Sequence, residues 1–504
     1  MVTIPLVTGC AGLPSLEGRT ETFAVTDSQA TRLGRAVAAR AASHPGKTGV
    51  YPLPLGSDAF AARMALAGAA ERSLDLQYYI WHGDVTGYLL LEQVWRAAQR
   101  GVRVRILLDD ANTAGFDETI AALDAHPNIE VRLYNPLLYR NARLLDFITD
   151  FTRVNRRMHN KSFTVDNQAA VVGGRNIGNE YFGAGSGVAF EDLDVIVVGP
   201  AVRDVSSEFD LYWNSASAYP ATLFVGPPAP DAAARLEALF AGTRADPDAI
   251  DYLRVVRQTP LLDELLSGDG PLEWTQAVLV RDDPAKTLDT AERTDVLLLT
   301  AVLELMGRPQ TSFDLVSPYF VPGETGTAAL VRLAREGVRV RVLTNALSAT
   351  DVAVVHAGYA KRRCELARAG VQLYELKPST PDRAGQGLST GSASATGLHA
   401  KTFGSDDRRI FVGSFNFDPR SARLNTEMGL VIESPALAQR LSNTFDTRIP
   451  QIAYEIRPVT DSQCLSWIEH TPTGEVRYDV EPGTRAYQRA LVLFFSILPI
   501  DWLL

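Results

Sequence analysis

The chain has 504 residues with 49 Lys and Arg against 59 Asp and Glu, a formal net charge of −10 and an isoelectric point near 5.4. This length can bury large apolar cores and corresponds to two to four domains. The acidic balance argues against a protein that binds nucleic acid without regard to sequence, because such proteins carry a basic surface.

The N-terminal segment, residues 1–50, begins with a candidate processing signal. Val7-Thr8-Gly9-Cys10 resembles the lipobox of bacterial lipoproteins, in which the cysteine is lipidated after cleavage. The apolar stretch before it is shorter than the roughly 7 to 15 residues of a signal peptide, and no charged residue precedes it. Cys10 is therefore either a lipidation site, in a signal remnant, or an ordinary thiol.

A first domain is predicted over residues 51–217. Helices are expected at about 61–72 and 88–100, and strands at 74–81 and 101–108, where apolar and polar residues alternate. Strands that alternate with helices favour parallel pairing, so we predict an α/β fold.

A second domain, residues 295–450, repeats this order. A strand at 314–321 and a helix at 328–336 precede Gly337-Val-Arg-Val-Arg-Val-Leu343, which nearly duplicates the segment starting at Gly101. The repeat covers roughly 60–215 and 295–440. Residues 218–294 are predicted to connect the two halves, because 218–230 are rich in Pro, Gly and Ala.

The C-terminal segment, residues 451–504, ends in a strongly apolar stretch. Fourteen residues from Leu491 onward are too few to cross a bilayer, for which about 20 are needed, and Pro499 interrupts them. An interfacial anchor with Arg485, Arg489 and Trp502 at the lipid headgroups fits this pattern. The alternative is a terminal helix docked on the core.

Two further cysteines, Cys364 and Cys464, lie far apart in sequence and match no metal-binding spacing. They are buried free thiols or partners in a disulfide. We expect no metal site and no other cofactor.

One polar pattern occurs twice in the chain. The first copy is His159, Lys161, Asp166 and Asn176, and the second is His399, Lys401, Asp406 and Asn416, with 399 − 159 = 240 at every position. A single copy would be compatible with a core histidine and a surface ion pair. Packing does not require the same set twice, so the duplication indicates a functional site.

The spacing suits attack on a phosphodiester. His and Lys two residues apart in an extended chain point to the same face. The lysines and asparagines can neutralise the phosphate oxygens, so that one imidazole attacks phosphorus while the other protonates the leaving alcohol.

The paired His-x-Lys-x4-Asp segments resemble the phospholipase D superfamily. The resemblance implies two pseudo-symmetric α/β sandwich halves with the active site at their interface, and a covalent phosphohistidine. Carried over by position, His159 or His399 is the nucleophile, with His159 favoured, and Lys161 and Lys401 hold phosphate with Asn176 and Asn416. Asp166 and Asp406 would orient or tune a histidine, and Ser414 would add a donor where the first half has Gly174.

The resemblance also implies an acidic residue that contacts a catalytic histidine. Asp192 and Glu427 each lie eight residues before a proline, Pro200 or Pro435, after their respective motifs. A carboxylate there would fix the tautomer of an imidazole. In the first half Glu191 and Asp194 compete with Asp192 for this role.

Four segments, 149–158, 173–178, 414–428 and 496–504, more specifically resemble the bacterial cardiolipin synthase C branch. That branch implies a membrane-associated enzyme of the bacterial cell envelope that transfers a phosphatidyl group to phosphatidylglycerol, with phosphatidylethanolamine as donor. A requirement for a protein partner cannot be read from the sequence. The alternatives are hydrolysis, by a phospholipase or a nuclease, and a non-enzymatic lipid-anchored envelope protein.

Overall fold

A computed structural model describes residues 12–185, 188–258, 272–288, 298–350, 353–378, 395–459 and 464–498. Cys10, Pro499 and Trp502 lie outside these ranges, so the predicted lipidation site and the end of the predicted anchor are not described. The chain forms two α/β halves, each built on one large mixed sheet. The predicted fold class is confirmed by this architecture and by the structural comparison given below.

The first half contains ten strands and ten helices among the described residues. Its strands are β1 (Thr48–Leu53), β2 (Ser73–Tyr78), β3 (Arg103–Asp109), β4 (Ile129–Tyr134), β5 (Ser162–Val165), β6 (Ala169–Gly173), β7 (Val188–Glu191), β8 (Asp194–Val198), β9 (Ala218–Pro220) and β10 (Glu273–Thr275). Its helices are α1 (Arg32–Ala41), α2 (Gly56–Ala69), α3 (Val85–Gln99), α4 (Asp117–Asp124), α5 (Leu144–Thr149), α6 (Phe151–Val154), α7 (Asn179–Phe182), α8 (Pro200–Trp213), α9 (Ala232–Ala245) and α10 (Pro247–Arg257).

The first sheet has nine strands in the order β10-β1-β8-β6-β5-β2-β3-β4-β9. Only β2, β3 and β4 are parallel to one another, as their helical connections require, and the other described pairs are antiparallel. Because β2, β3 and β4 all end at one edge of the sheet, the residues that follow them meet there.

The second half repeats this arrangement. Its strands are β11 (Ala277–Arg281), β12 (Ser312–Val316), β13 (Arg339–Asn345), β14 (Gln372–Leu376), β15 (Ala395–Leu398), β16 (Thr402–Ser405), β17 (Arg409–Gly413), β18 (Met428–Ile432), β19 (Ala453–Pro458), β20 (Leu465–Thr471) and β21 (Gly474–Tyr478). Its described helices are α11 (Leu298–Met306), α12 (Gly323–Arg335), α13 (Ala353–Arg368), α14 (Pro419–Arg423), α15 (Pro435–Thr447), α16 (Ile449–Ile452) and α17 (Ala486–Ile497). The second sheet runs β11-β18-β17-β16-β12-β13-β14-β19-β20-β21, with β12, β13 and β14 parallel.

Local sequence signals mark the matching elements of the two halves. The helix before β3 is followed by Gly101 and the helix before β13 by Gly337, both with φ near +90° (92° and 91°). Glycine adopts this left-handed backbone without the clash that a Cβ would cause, so each helix ends there and the chain turns into its strand.

The two halves pack through an apolar layer between their sheets. Val172 and Val197 of the first sheet share one buried cluster with Val412, Leu430 and Ile432 of the second. This layer fixes the two sheets against each other, so that residues on adjoining strands of the two halves can form one site.

The segment predicted to connect the halves is folded onto them instead. Strand β9 pairs with β4, and helices α9 and α10 bury Leu236, Phe240 and Tyr252 in the first core. Strand β10 extends the first sheet, while β11 extends the second. Proline and glycine over 218–230 therefore mark the turns around β9 and not a free linker.

The two ends of the chain are also integrated. Arg19 donates hydrogen bonds to the carbonyls of Asn214, Ser215 and Ala218, and β19 to β21 continue the second sheet. Cys364 and Cys464, for which the sequence left two states open, form a disulfide with a Cα–Cα distance of 6.2 Å. Among the described helices, none combines the length and apolar composition needed to cross a bilayer.

Candidate active site

Each motif strand is hydrogen-bonded to the opposite half of the molecule. His159 donates its backbone N–H to the carbonyl of Thr426 at 2.9 Å, and Thr426 donates to Arg157 at 2.9 Å. In the second half, His399 donates to the carbonyl of Glu191 at 2.8 Å, next to the parallel pair formed by β7 and β15. The residue that follows Thr426 is Glu427, and the residue that follows Glu191 is Asp192.

This exchange brings a carboxylate from one half to the histidine of the other. His159 Nδ1 lies 2.8 Å from Glu427 Oε2, and His399 Nδ1 lies 2.6 Å from Asp192 Oδ2. An Nδ1–H that donates to a carboxylate leaves Nε2 as the unprotonated nitrogen, with its lone pair available for attack or proton transfer. Of the three acids that competed in the first half, Asp192 faces His399, whereas Asp194 pairs with Arg63 at 2.9 Å.

The two histidine–carboxylate pairs differ in a way that Ser414 and Gly174 explain. Ser414 Oγ donates to Glu427 Oε2 at 2.5 Å, so this hydroxyl holds the carboxylate. At Gly174 a Cβ would lie 2.3 Å from Asp192 Oδ1. The first half therefore needs glycine to make room for its aspartate. The Ser414 hydroxyl also lies 3.2 Å from the Met428 carbonyl, and its contact with phosphate stays a prediction.

The two lysines are buried beside the histidines. Each Nζ donates to the backbone carbonyl of the histidine two residues earlier, and Lys161 Nζ also lies 5.5 Å from the centre of the Tyr79 ring. Burial lowers the pKa of Lys161 well below its usual value, although Glu427 acts in the opposite direction. A phosphate bound beside these lysines would supply negative charge that favours their protonated form.

Both histidines are neutral near pH 7 in the free protein. Burial and the charge of Lys161 and Lys401 lower the pKa of His159 well below its ordinary value. Burial and Lys401 lower the pKa of His399 to about 4, against the effect of Asp192. Since both lysines act on both imidazoles, the duplicated residues form one electrostatic cluster. A neutral imidazole is the nucleophilic form.

The two asparagines of the duplicated pattern have unused hydrogen-bonding atoms. Asn176 Oδ1 accepts from Ile80 N at 3.1 Å, whereas Asn176 Nδ2 and Asn416 Oδ1 make no hydrogen bond within the described part of the chain. Both side chains are buried. A buried amide atom without a partner is costly unless a ligand satisfies it.

Asp166 and Asp406 do not orient the histidines, which corrects the expectation from their motif position. The carboxylate of Asp166 accepts backbone N–H groups of Glu71, Arg72 and Ser73 at the start of β2. The carboxylate of Asp406 accepts those of Gln310, Thr311 and Ser312 at the start of β12. Both aspartates have positive φ, 51° and 54°, which Asp tolerates better than most residues. Their spacing in the motif therefore reflects how β5 and β16 are attached to β2 and β12.

Replacing Asp166 by alanine is expected to reduce stability more than catalysis. Three backbone donors lose their acceptor, which predicts a loss of about 1–3 kcal/mol in the free energy of unfolding. Urea denaturation measures this loss, and Asp166→Asn, which keeps one acceptor oxygen, is the matched control. A variant with unchanged stability and a turnover as low as that of a histidine variant would restore the catalytic assignment.

A buried network under His159 was missed in the sequence. Asn160 Nδ2 donates to Glu208 Oε1 at 2.7 Å, and Thr426 Oγ1 donates to Asn160 Oδ1 at 2.9 Å. Burial raises the pKa of Glu208 to about 7. The network ties the residue between His159 and Lys161 to the residue before Glu427. The only sequence signal for this network was the polar residue Asn160 between His159 and Lys161. The repeat did not draw attention to it, because the second copy has Ala400 at the matching position.

Aromatic rings pack against both imidazoles. The Tyr79 ring centre lies 5.0 Å from that of His159, and those of Tyr181 and Phe190 lie 5.2 and 5.3 Å from that of His399. They contribute to the burial that lowers the histidine pKa values. Tyr79 recurs as Tyr319 at the offset of 240, so the repeat could have pointed to it. Tyr181 and Phe190 correspond to Ser421 and Leu430 and carry no such signal.

The described residues contain one cluster of metal-ligating type, His82, Asp84 and Glu180. His82 Nδ1 pairs with Glu180 at 3.0 Å, and Asp84 accepts from Gly87 N at 2.9 Å as the N-cap of α3. These structural contacts account for the cluster, so we assign it no metal.

Comparison with known proteins agrees with this geometry. A family model described as "Cardiolipin synthase, PLD-like domain" matches residues 64–213 and 302–449. The chain is 47% identical over 476 residues to cardiolipin synthase C of Escherichia coli K12, covering 94% of this chain and 100% of that protein. It is 25% identical over 391 residues to the major cardiolipin synthase ClsA of Bacillus subtilis 168, covering 77% and 66% of the two chains.

The fold has a solved counterpart. The crystal structure of phosphatidylserine synthase from Haemophilus influenzae Rd KW20 superposes with a TM-score of 0.58 at 16% identity, covering 94% of this chain and 100% of that one. The family match spans more than half of the chain, in two copies that each contain one histidine–lysine pair. This chain therefore belongs to the cardiolipin synthase family of phospholipase D-like phosphatidyltransferases.

Proposed function

We propose that the protein synthesises cardiolipin by moving a phosphatidyl group from phosphatidylethanolamine to phosphatidylglycerol through a phosphohistidine at His159. The observation that carries this proposal is the reciprocal pairing of His159 with Glu427 and of His399 with Asp192. A two-step displacement at phosphorus requires a neutral imidazole as nucleophile and a second imidazole that can give and take a proton, and both are oriented here beside two buried lysines.

In the first step, His159 Nε2 attacks phosphorus and the bond from phosphorus to the ethanolamine oxygen breaks. His399 donates a proton to that oxygen, so that free ethanolamine leaves. The pKa of His399 is about 4 in the free protein, and the negative charge of a bound diester would raise it. Lys161 and Lys401 stabilise the charge that accumulates on the non-bridging oxygens.

In the second step, His399 removes the proton from a hydroxyl of phosphatidylglycerol. The resulting oxygen attacks the phosphohistidine, the phosphorus–nitrogen bond breaks, and His159 is released in its neutral form. Glu427 supports this cycle because a carboxylate at Nδ1 stabilises positive charge on the imidazole while Nε2 carries the phosphoryl group. The reaction needs neither a metal nor another cofactor.

We further propose that the protein works at a membrane of the bacterial cell envelope. The disulfide between Cys364 and Cys464 supports an oxidising compartment, where such bonds persist. Helix α17 supports membrane contact, because Val492 docks it on the second half while Leu493, Phe494 and Ile497 are exposed. Helix α17 thus combines a terminal helix docked on the core with an interfacial anchor, the two alternatives considered for the C-terminal segment. Cys10 remains a proposed lipidation site.

The test is product analysis by mass spectrometry. Membranes that contain the protein receive head-group-labelled phosphatidylethanolamine and phosphatidylglycerol, and His159→Ala is the control. Cardiolipin together with free ethanolamine, absent from the control, is the expected result. Cardiolipin with free glycerol would change the donor to phosphatidylglycerol. Phosphatidic acid as the only product would overturn transfer in favour of hydrolysis.

A further inference from the structure

Helix α5 has its polar and apolar sides reversed relative to a helix at a water-exposed surface. The carboxylate of Asp146 is fully buried and accepts backbone N–H groups of Leu138 and Tyr139 at 2.8 and 2.9 Å. Leu144 and Ile148 are each 78% exposed. A surface helix normally turns its charged residues outward and its aliphatic residues inward.

The exposed apolar side chains of α5 and α6 cluster within the eight consecutive residues 144–151. They are Leu144, Leu145, Phe147, Ile148 and Phe151, and we call them the α5–α6 surface. Clustered apolar exposure of this kind marks an interaction site, whereas single exposed apolar residues do not.

The α5–α6 surface is held in a fixed position. Arg140 pairs with Asp110, directly after β3, at 2.7 Å, and Asp110 also accepts from Leu137 N at 2.7 Å. Behind the surface, Asn135 donates to the carbonyls of Arg153 and Arg156. The chain reaches His159 five residues after the end of α6 at Val154. The surface therefore lies at the edge of the parallel strands from which the first motif strand starts.

The second half carries an apolar surface at the corresponding edge. Helix α17 buries Val492 against Leu347, which follows β13, and exposes Leu493 and Ile497. His399 is tied to the same edge, because Leu398 exchanges two hydrogen bonds with Asn345 at the end of β13. Two apolar surfaces thus lie at the edges that carry the two histidines.

We propose that the α5–α6 surface inserts into the interfacial region of a lipid bilayer and holds the active site against it. A bilayer is an extended apolar medium that can cover surfaces on both halves, whereas a folded partner would have to match each of them separately. The inference rests on the proposed function, because lipid substrates have to enter the site from a membrane. It goes beyond that function by naming the α5–α6 surface as the part of the protein that contacts the membrane.

The test compares variants in vesicle flotation, using vesicles of phosphatidylethanolamine and phosphatidylglycerol. The double variant Leu144→Ser/Ile148→Ser removes two strongly exposed side chains, so it does not disturb the core. We expect its membrane partition coefficient to fall by at least about tenfold, from the apolar area removed. The matched control is Leu303→Ser on α11, where leucine is 59% exposed, and it should bind like the unchanged protein.

A second measurement reports insertion directly. In Ile148→Trp, vesicles that contain brominated lipids are expected to quench the fluorescence added at this position, and in Leu303→Trp they are not. Equal binding by the double variant and the control, or no vesicle binding by the unchanged protein, would overturn the proposal. The proposal would also be overturned if a second copy of the chain covers the α5–α6 surface. In that case the double variant would sediment differently from the unchanged protein but float with vesicles to the same extent.

Flotation does not depend on turnover, so the two proposals can fail separately. If no cardiolipin forms but vesicle binding still depends on Leu144 and Ile148, the proposed function is wrong and the membrane contact stands. If cardiolipin forms and vesicle binding does not depend on Leu144 and Ile148, the membrane contact is wrong and the proposed function stands.

Discussion

His159→Ala is expected to lower turnover by at least about 10⁴-fold, because the variant lacks the proposed nucleophile. His399→Ala is expected to lower it by roughly 10²- to 10⁴-fold, the usual contribution of a general acid and base. Release of labelled ethanolamine from phosphatidylethanolamine measures both effects. His356, which is buried and pairs with Glu481 at 3.1 Å, supplies a control in His356→Ala for the loss of a buried histidine elsewhere.

A substrate with a good leaving group separates the two histidines. When the substrate is a phosphatidyl ester of p-nitrophenol, p-nitrophenolate leaves without protonation. His399→Ala should therefore still form the phosphohistidine but transfer its phosphatidyl group slowly. Mass spectrometry of the acid-labile adduct should find it at residue 159 in this variant and not in His159→Ala. An adduct at residue 399 in the His159 variant would exchange the proposed roles.

Glu427→Gln is expected to reduce kcat by about 10²- to 10⁴-fold while the protein remains folded. Glutamine keeps the shape of the side chain but removes the negative charge that would stabilise the His159 imidazole in the proposed phosphohistidine. The matched control is Glu433→Gln, just beyond the same strand, where the carboxylate pairs with the surface residue Arg408 at 2.7 Å. This control should leave kcat unchanged.

The pH dependence should identify the same carboxylate. Burial raises the pKa of Glu427 to about 7, with Lys161 acting in the opposite direction. Below this pKa the side chain is protonated and cannot accept the Nδ1–H of His159 as an anion. kcat/KM should therefore rise between about pH 6 and about pH 8, and the rise should disappear in Glu427→Gln. A variant that keeps the rise would assign it to another group.

Much of the fold could be predicted because its signals are local. Alternating strands and helices and the glycines after the helices before β3 and β13 depend only on neighbouring residues. The repeat with an offset of 240 can be found by comparing the chain with itself. The predicted helix at 88–100 corresponds to α3 at Val85–Gln99, and the predicted strand at 74–81 to β2 at Ser73–Tyr78. Boundaries moved by a few residues because capping and pairing decide where an element ends.

The connecting segment and the aspartates show where local signals mislead. Residues 218–230 have the composition of a linker, but β9 is an edge strand, where proline is tolerated because it breaks no ladder hydrogen bond. Asp166 and Asp406 belong to the duplicated pattern, so we expected them to act on the histidines. Their partners are backbone groups more than 90 residues away in sequence, which the pattern does not reveal.

By itself, the sequence determined that the protein has two matching α/β halves and a duplicated set of histidines, lysines and asparagines, since repetition can be read without coordinates. Only the tertiary structure decided which carboxylate serves which histidine. Glu427 pairs with His159 and Asp192 with His399 across the halves, because the apolar layer between the sheets sets each motif strand against a strand of the other half. Such pairings depend on how the two sheets pack, and residue spacing along the chain carries no information about that.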